Sequence, residues 1–295
     1  MNSSNQSALR SSFQLQARLV RRSLRRLLQM ARYRRLGLAG VPVLFANSFP
    51  KSGTHLLTQI LQGFTQIGPA VDSGLPAIVT FAGDTGRPRA VHEIVRDLDR
   101  LKPGDIAYGH VHAMPNAIEH LCQDGMAPYF ILRDPRDVVV SHVHYVTEME
   151  PGHIHHDYYV NELPDFDARL RVSILGRPNV DIPFPDIRAR FEPYLDWLDH
   201  PEMLVLRFED FILERQRSVE LVLDHATQRG FPLSIDRPQA LGRLVASIDP
   251  QRSPTFRSGK VGGWQASFTP AHKELFKQVS GDLLIRLKYE TDHDW

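Results

Sequence analysis

The chain has 295 residues and a mass of 33.6 kDa, which fits one large domain or two small ones. Apolar residues make up 42% and charged residues 23%, a composition that excludes wholesale disorder, collagen and coiled coil. The formal net charge of +1 gives no reason to expect nucleic acid as a partner. The single cysteine, Cys122, excludes an intramolecular disulfide and a multi-cysteine metal centre, and it fits a reducing, cytoplasmic compartment.

Residues 1–36 differ from the rest and are predicted to form a basic amphipathic extension of a domain spanning residues 37–295. Residues 1–35 contain nine arginines, and no acidic residue occurs before Asp72. Leucines recur near helical spacing at 15, 19, 24, 27 and 28. Three interpretations stay open: a solvated helix that packs its leucines on the domain, a helix that lies on an anionic membrane through residues 10–35, and a targeting or nucleic-acid-binding segment. No run is apolar and long enough to predict a membrane-spanning helix.

Short apolar strands alternate with helical patterns through the rest of the chain. Strands are predicted at 43–47, 106–111, 129–132 and 203–208. Helices are predicted at 54–64, 116–123, 135–147, 194–198, 210–230 and 236–248, with a last one from 270. Residues 150–186 have little periodicity and are predicted as a long loop or lid. This alternation predicts an α/β fold of one domain, in which helices flank a P-loop-like parallel sheet.

The first chemical motif is a PKSGTH turn between a predicted strand and a predicted helix. Gly53 permits close approach of the backbone, and the free N–H groups at the start of the helix form an anion site. Lys51 adds a positive charge, while Ser52, Thr54 and His55 add donors. The Walker A pattern is absent, so the motif predicts phosphate binding but not an NTP–magnesium site.

The second motif is FILRDPRDVVVSHVHY, residues 130–145. Arg133 follows a predicted strand, and Ser141 lies two turns into the helix after it. Since the ends of parallel strands converge on one crevice, Arg133 and Ser141 can share an anion there. Arg136 and Asp137 are assigned a structural role at the start of the helix.

The third motif, FRSGKVGGW at 256–264, is a basic, glycine-rich loop that can close over a phosphate. Its candidate contacts are Arg257, Ser258, Gly259 and Lys260. Five histidines between 142 and 156 also stand out. They lack the i,i+4 spacing of a helical metal site, so no metal site is predicted there; a solvated loop is the main interpretation, and a pH-sensitive or substrate-lining loop is the alternative.

Together and in this order, these motifs resemble the PAPS-dependent sulfotransferase family over about residues 40–280. PKSGTHL is similar to the family's 5′-phosphosulfate loop, and Arg133, Asp137 and Ser141 match its R-x-x-x-D-x-x-x-S signature for the 3′-phosphate. RSGKVGGWQASFT is similar to the C-terminal signature of the family, and LVLRFEDF to its strand ending in Y-E-D.

The resemblance implies that PAPS is the sulfuryl donor and PAP the product, with no metal required. The acceptor it implies is a hydroxyl, or an amine, of a small molecule, a sugar or a lipid. Residues 51–55 would hold the 5′-phosphosulfate, and Phe208 would lie near the nucleotide. Arg133 and Ser141 would hold the 3′-phosphate, joined by Arg257, Ser258 and Gly259. The family's dimer segment is poorly matched, which leaves the oligomeric state open.

Sulfuryl transfer to a hydroxyl also needs a base that removes the acceptor proton. The segment AYGHVH, residues 107–112, offers His110 and His112, which strand alternation places on one face. The resemblance aligns His110 with the catalytic histidine, so His110 is the predicted base and His112 the alternative. Lys51 would bridge to the leaving oxygen. Two other functions stay open: a P-loop kinase-like phosphotransferase, and a non-catalytic nucleotide-binding module at a membrane surface.

Overall fold

The computed structural model describes residues 3–83, 85–182, 184–253 and 259–295. These residues fold around a parallel β-sheet. Its strands are β1 Val43–Ser48, β2 Val71–Asp72, β3 Ile78–Val79, β4 Asp105–His110, β5 Met126–Leu132 and β6 Leu204–Arg207. The strand order is β2-β4-β1-β5-β6, and β3 pairs with β4 next to β2. All of these pairs are parallel, so the predicted α/β fold is confirmed.

Helices connect and cover the strands. In chain order they are α1 Ser3–Arg32, α2 Thr54–Gly63, α3 Val91–Leu98, α4 Pro115–Cys122, α5 Pro135–His144, α6 His156–Asn161, α7 Phe166–Leu175, α8 Ile187–Phe191, α9 Phe208–Leu213, α10 Arg215–Gln228, α11 Arg237–Ala246, α12 Pro270–Ser280 and α13 Leu283–Arg286. Two predictions are wrong in part. The segment 150–186 contains helices α6 and α7, and the helix expected over 210–230 is interrupted at Glu214, between α9 and α10.

The core lies on both faces of the sheet, because alternate side chains of the central strand enter different clusters. Val43 and Phe45 of β1 pack into one cluster, together with Phe130 of β5. Leu44 and Ala46 pack into the other cluster, beneath α2 and α10. A parallel sheet that is buried on both faces needs such near-continuous apolar strands, and all six residues of β1 are buried.

The N-terminal helix α1 packs on the sheet edge through arginine side chains, and several of its leucines do not take part in this packing. Arg22 and Arg26 donate to the carboxylate of Asp105 at 3.1 and 2.8 Å. Leu24, Leu27 and Leu28 are each more than half exposed. The expectation that the leucines pack on the domain is therefore wrong for these three, because the buried carboxylate of Asp105 attracts the opposite face of the helix.

None of the helices in the described part of the chain combines the length and the apolar character that crossing a bilayer requires.

Candidate active site

The candidate site lies where four parallel strands end side by side. Ser48, the last residue of β1, is in register with Ile131 of β5, and Asn47 is in register with Gly109 of β4. The end of β5 is in turn in register with Arg207, the last residue of β6. The segments that follow these strands therefore meet at one edge of the sheet, as ligand-binding segments do in open α/β folds.

The loop after β1 turns sharply before α2, and its backbone requires a glycine. Lys51 and Gly53 both have positive φ, at 69° and 98°. A Cβ atom on Gly53 would lie 2.7 Å from Cδ2 of Phe208 and 3.3 Å from Cδ1 of Ile131. No side chain caps the start of α2. The turn therefore leaves the first N–H groups of the helix available to an anion, in a place where the helix dipole favours negative charge.

A cavity of about 520 Å³ opens in front of this loop. Eleven of the residues singled out in the sequence line it: Lys51, Gly53, Thr54, His55, His110, Arg133, Asp137, Ser141, Phe208, Gly259 and Lys260. Ser52 is fully buried beside them. Arg257 and Ser258 lie outside the described residues. The cavity thus brings together side chains from all three motifs, which lie far apart in the sequence.

His110 is held at the end of β4 by the end of β1. Its Nδ1 lies 2.9 Å from the carbonyl oxygen of Ser48 and 3.1 Å from the Ser48 hydroxyl. Because a carbonyl oxygen can only accept, Nδ1 carries the proton and Nε2 keeps its lone pair. Burial lowers the pKa of His110; the hydrogen bond to the Ser48 carbonyl partly opposes this effect, and the nearby His55 and Lys51 add smaller lowering contributions. A neutral imidazole with a free Nε2 can accept a proton.

Lys51 places a desolvated positive charge in the cavity. Its ammonium lies 3.8 Å from the centre of the Tyr145 ring. Burial, with a contribution from the Arg133 charge, lowers the pKa of Lys51 to about 8. Burial and Lys51 likewise lower the pKa of His55. Lys51 and Arg133 therefore carry more positive charge than the described residues around them neutralise. This excess of positive charge favours the binding of an anion in the cavity.

Arg133 occupies the other side of the cavity, after β5. Its guanidinium lies over the Phe208 ring at 4.6 Å and donates to the carboxylate of Asp137 and to the carbonyl of Lys260, at 3.1 and 2.8 Å. Its Nε is buried without a hydrogen-bond partner among the described residues, and the same is true of Oγ of Ser52. Two unsatisfied donors beside a cationic cluster fit a phosphate-bearing ligand, because a buried donor without a partner is costly.

Asp137 joins the third motif to α5. Its carboxylate accepts from the backbone N–H groups of Gly262 and Trp264, at 3.0 and 2.8 Å, besides the guanidinium of Arg133. Arg136 pairs instead with the carboxylate of Asp134, which accepts from the Arg136 backbone N–H at the start of α5. Both residues thus make structural contacts, and Asp137 fixes the end of the glycine-rich loop against the cavity.

The two candidate bases, His110 and His112, lie in different surroundings in the structure. His112 follows the end of β4, and its ring packs edge-on against Tyr194 at 4.6 Å and Phe81 at 5.4 Å. Burial lowers its pKa to about 4. His110 lines the cavity, whereas His112 is not among its described lining residues. The expectation that both histidines share one face of a strand is wrong, because β4 ends at His110.

Two neighbours of the predicted residues were not anticipated from the sequence. Ser48 orients His110, and Tyr145 lies against Lys51. Its place in the polar pair Asn47–Ser48, at the end of a strand that begins with four apolar residues, is the one signal that marks Ser48. Nothing marks Tyr145, since it belongs to a π-helical turn, Tyr145–Met149, that continues α5.

The histidine-rich segment does not form a cluster with metal-ligand spacing. Within the described ranges, the one group of three such side chains is Cys122, His200 and Glu202, none of which lines the cavity. His142, His153 and His155 pack on one another and on Phe184 instead. Burial lowers the pKa of His155 to about 4 and also lowers the pKa of His142 and of His153, so these rings are neutral packing groups near pH 7.

Comparison with solved structures identifies the architecture. Retinol dehydratase in complex with androsterone and the inactive cofactor PAP matches with a TM-score of 0.56 and 16% identity, over 82% of this chain and 80% of that one. Mouse sulfotransferase SULT7A1 complexed with PAP matches with a TM-score of 0.54 and 17% identity, over 85% and 88%. The chain has the sulfotransferase fold.

A second retinol dehydratase structure, with retinol and PAP, matches the sulfotransferase fold of this chain equally, with a TM-score of 0.55 and 16% identity over 82% of this chain and 81% of that one. No family model matches the sequence. At this level of identity the likeness establishes the fold, and the assignment of a reaction rests on the residues of the cavity.

Proposed function

We propose that this chain transfers the sulfuryl group of PAPS to a hydroxyl or amine acceptor and releases PAP. The observation that carries the proposal is the cavity at the sheet edge, where Lys51, His110 and Arg133 meet, and where Nε of Arg133 and Oγ of Ser52 have no hydrogen-bond partner among the described residues. A cationic site of this kind fits a ligand with two separate phosphate groups. The three similar structures each contain PAP, which supports the same nucleotide here.

The residues divide into two anion sites in this proposal. The uncapped start of α2, with Lys51, Ser52, Gly53, Thr54 and His55, holds the 5′-phosphosulfate. Arg133 and Ser141 hold the 3′-phosphate, with Gly259 and, by the sequence motif, Arg257 and Ser258. Phe208, which already lies under the Arg133 guanidinium, packs beside the nucleotide. PAPS supplies the sulfuryl group, and no metal takes part.

His110 is the proposed general base, and Lys51 is its electrostatic counterpart. As the acceptor oxygen forms its bond to sulfur, its proton passes to Nε2 of His110, and the bond between sulfur and the phosphate oxygen breaks. The ammonium of Lys51 offsets the negative charge that develops on the departing phosphate. The Nδ1 contact with Ser48 keeps the imidazole in the tautomer that this step needs.

Two alternatives are less well supported. A kinase-like phosphotransferase needs a carboxylate for Mg²⁺ near the phosphates. Among the described lining residues the acid is Asp137, and its carboxylate already accepts three hydrogen bonds. A nucleotide-binding module without catalysis would not need a neutral, oriented histidine beside the phosphate loop, which is where His110 lies.

Titration calorimetry with PAP tests the nucleotide assignment. We expect PAP to bind without Mg²⁺ and more tightly than ATP, since ATP has no 3′-phosphate for Arg133 to contact. Binding of ATP that requires Mg²⁺, together with no binding of PAP, would contradict the sulfotransferase proposal. A screen of phenols, alcohols, sugars, amines and lipids with labelled PAPS would then identify the acceptor class.

A further inference from the structure

The outward face of α1 is an apolar stripe that no described part of the chain covers. Phe13, Val20, Leu24, Leu27 and Leu28 are 58% to 77% exposed. Leu24 lies four residues after Val20, three before Leu27 and four before Leu28, and Phe13 lies two helical turns before Val20, so all five lie on one side of the helix. Exposed apolar residues that occur singly are ordinary, whereas five that share one side of a helix mark an interaction surface.

The opposite face of α1 is fixed to the domain by charge. The Asp105 carboxylate is fully buried and accepts from Arg22, Arg26 and the backbone N–H of Lys102. Arg22 also donates to the carbonyl of Arg100 at 2.6 Å. Rotating α1 to bury its stripe would remove both arginines from a buried carboxylate, which is strongly unfavourable. The stripe therefore faces outward as a consequence of how the helix is attached.

The charge around the stripe indicates what covers it. No acidic residue occurs before Asp72, and Arg21 and Arg34 are exposed. Arg21 lies on the helix turn before Leu24. Two copies of α1 placed stripe to stripe would bring arginines together without a single acid between them. An anionic lipid surface instead accepts the apolar side chains and attracts the arginines.

We propose that α1 lies in the interface of an anionic membrane with this stripe inserted among the lipid chains, while Arg22 and Arg26 hold the domain to its other face. The exposed Arg21 and Arg34 contact lipid headgroups. The arginines that hold the domain are therefore distinct from those that contact lipid. This proposal is independent of the sulfuryl transfer proposed above.

Vesicle sedimentation of the full-length chain tests it, using phosphatidylcholine vesicles with and without about 30% phosphatidylserine. We expect binding to the anionic vesicles that weakens with salt. The double variant Leu24→Gln/Leu27→Gln should bind roughly 10- to 100-fold more weakly, because it removes two inserted side chains. Both side chains are exposed in the free protein, so this variant should fold normally.

The matched control is Leu175→Gln/Leu221→Gln, which changes two leucines of α7 and α10 that are 43% and 47% exposed. It should bind vesicles like the wild type. Equal binding of the two double variants would overturn the proposal, as would failure of the wild type to bind. Analytical ultracentrifugation tests the alternative that a second copy of the chain packs on the stripe. A wild-type dimer that becomes monomeric in Leu24→Gln/Leu27→Gln would support that alternative and overturn the membrane proposal.

Discussion

Replacing Lys51 by methionine should stabilise the folded protein while it impairs nucleotide binding. Burial and the Arg133 charge lower the pKa of Lys51 from 10.5 to about 8. In the unfolded chain the pKa of Lys51 returns to its ordinary value. At pH 7 the folded chain therefore keeps a charged ammonium in a site that disfavours the charge, and this lowers the free energy of unfolding. A shift of this size corresponds to about 3 kcal/mol, and roughly 1–3 kcal/mol is expected because part of the side chain still contacts solvent. Methionine keeps the length of the chain without its charge.

The pH dependence follows from the sign of the shift. Between pH 8 and pH 10.5 the unfolded chain holds the Lys51 proton and the folded chain does not, so wild-type stability rises with pH relative to the variant. Urea unfolding should show Lys51→Met more stable at pH 7, with an advantage that falls to about a quarter by pH 10. Lys102→Met, which changes an exposed lysine, is the control. No gain at pH 7, or an equal gain at both pH values, would refute the reasoning.

The same variant connects stability to binding. PAP supplies the anion that the Lys51 charge lacks, so it should raise the unfolding midpoint of the wild type more than that of Lys51→Met. In the wild type, PAP affinity should fall as the pH rises above about 8, since Lys51 then loses its proton. Calorimetry at pH 7 and pH 9 measures this change in PAP affinity. If Lys51→Met binds PAP as tightly as the wild type does, Lys51 is not part of the phosphate site.

Three further substitutions, two of them paired with a control variant, test other parts of the site. His110→Ala should lower turnover by about 10²–10⁴ while PAP affinity stays nearly unchanged, whereas His112→Ala should cost much less; side-by-side assays with PAP titration check this. Arg133→Ala should weaken PAP binding by about 1.5–3 kcal/mol in calorimetry, and a smaller loss would place the 3′-phosphate elsewhere. Gly53→Ala should lower stability by roughly 1–3 kcal/mol in urea unfolding, because its Cβ would clash with Phe208 at a positive φ. Gly242→Ala, whose Cβ meets nothing within 4 Å, should not.

The phosphate loop could be predicted because its determinants are adjacent in the sequence. A strand, a turn containing Lys51 and Gly53, and a helix follow one another, and local geometry decides where the N–H groups point. The bond between His110 and Ser48 could not be predicted, since it depends on the pairing of β1 with β4 across 62 positions. The separation of His112 from the cavity likewise depends on Phe81 and Tyr194, which belong to other segments.

The orientation of α1 shows why periodicity alone is insufficient. The sequence reveals two faces, one apolar and one rich in arginine, and the usual rule buries the apolar face. Which face packs is decided by Asp105, a buried carboxylate about 80 positions later, whose burial no local pattern indicates. The helices within 150–186 were missed although Asp165 offered a signal, because it caps α7 through the Ala168 N–H.

Strand β4 connects the two proposals, since it carries the anchor of α1 at one end and the proposed base at the other. Asp105 and His110 are five residues apart, which corresponds to about 17 Å along a strand. The lipid-facing helix is therefore attached to the end of the strand remote from the cavity, and Leu24 and Leu27 line no part of it. Leu24→Gln/Leu27→Gln should consequently bind PAP as the wild type does. Lys51→Met should bind vesicles as the wild type does, so either proposal can fail without the other.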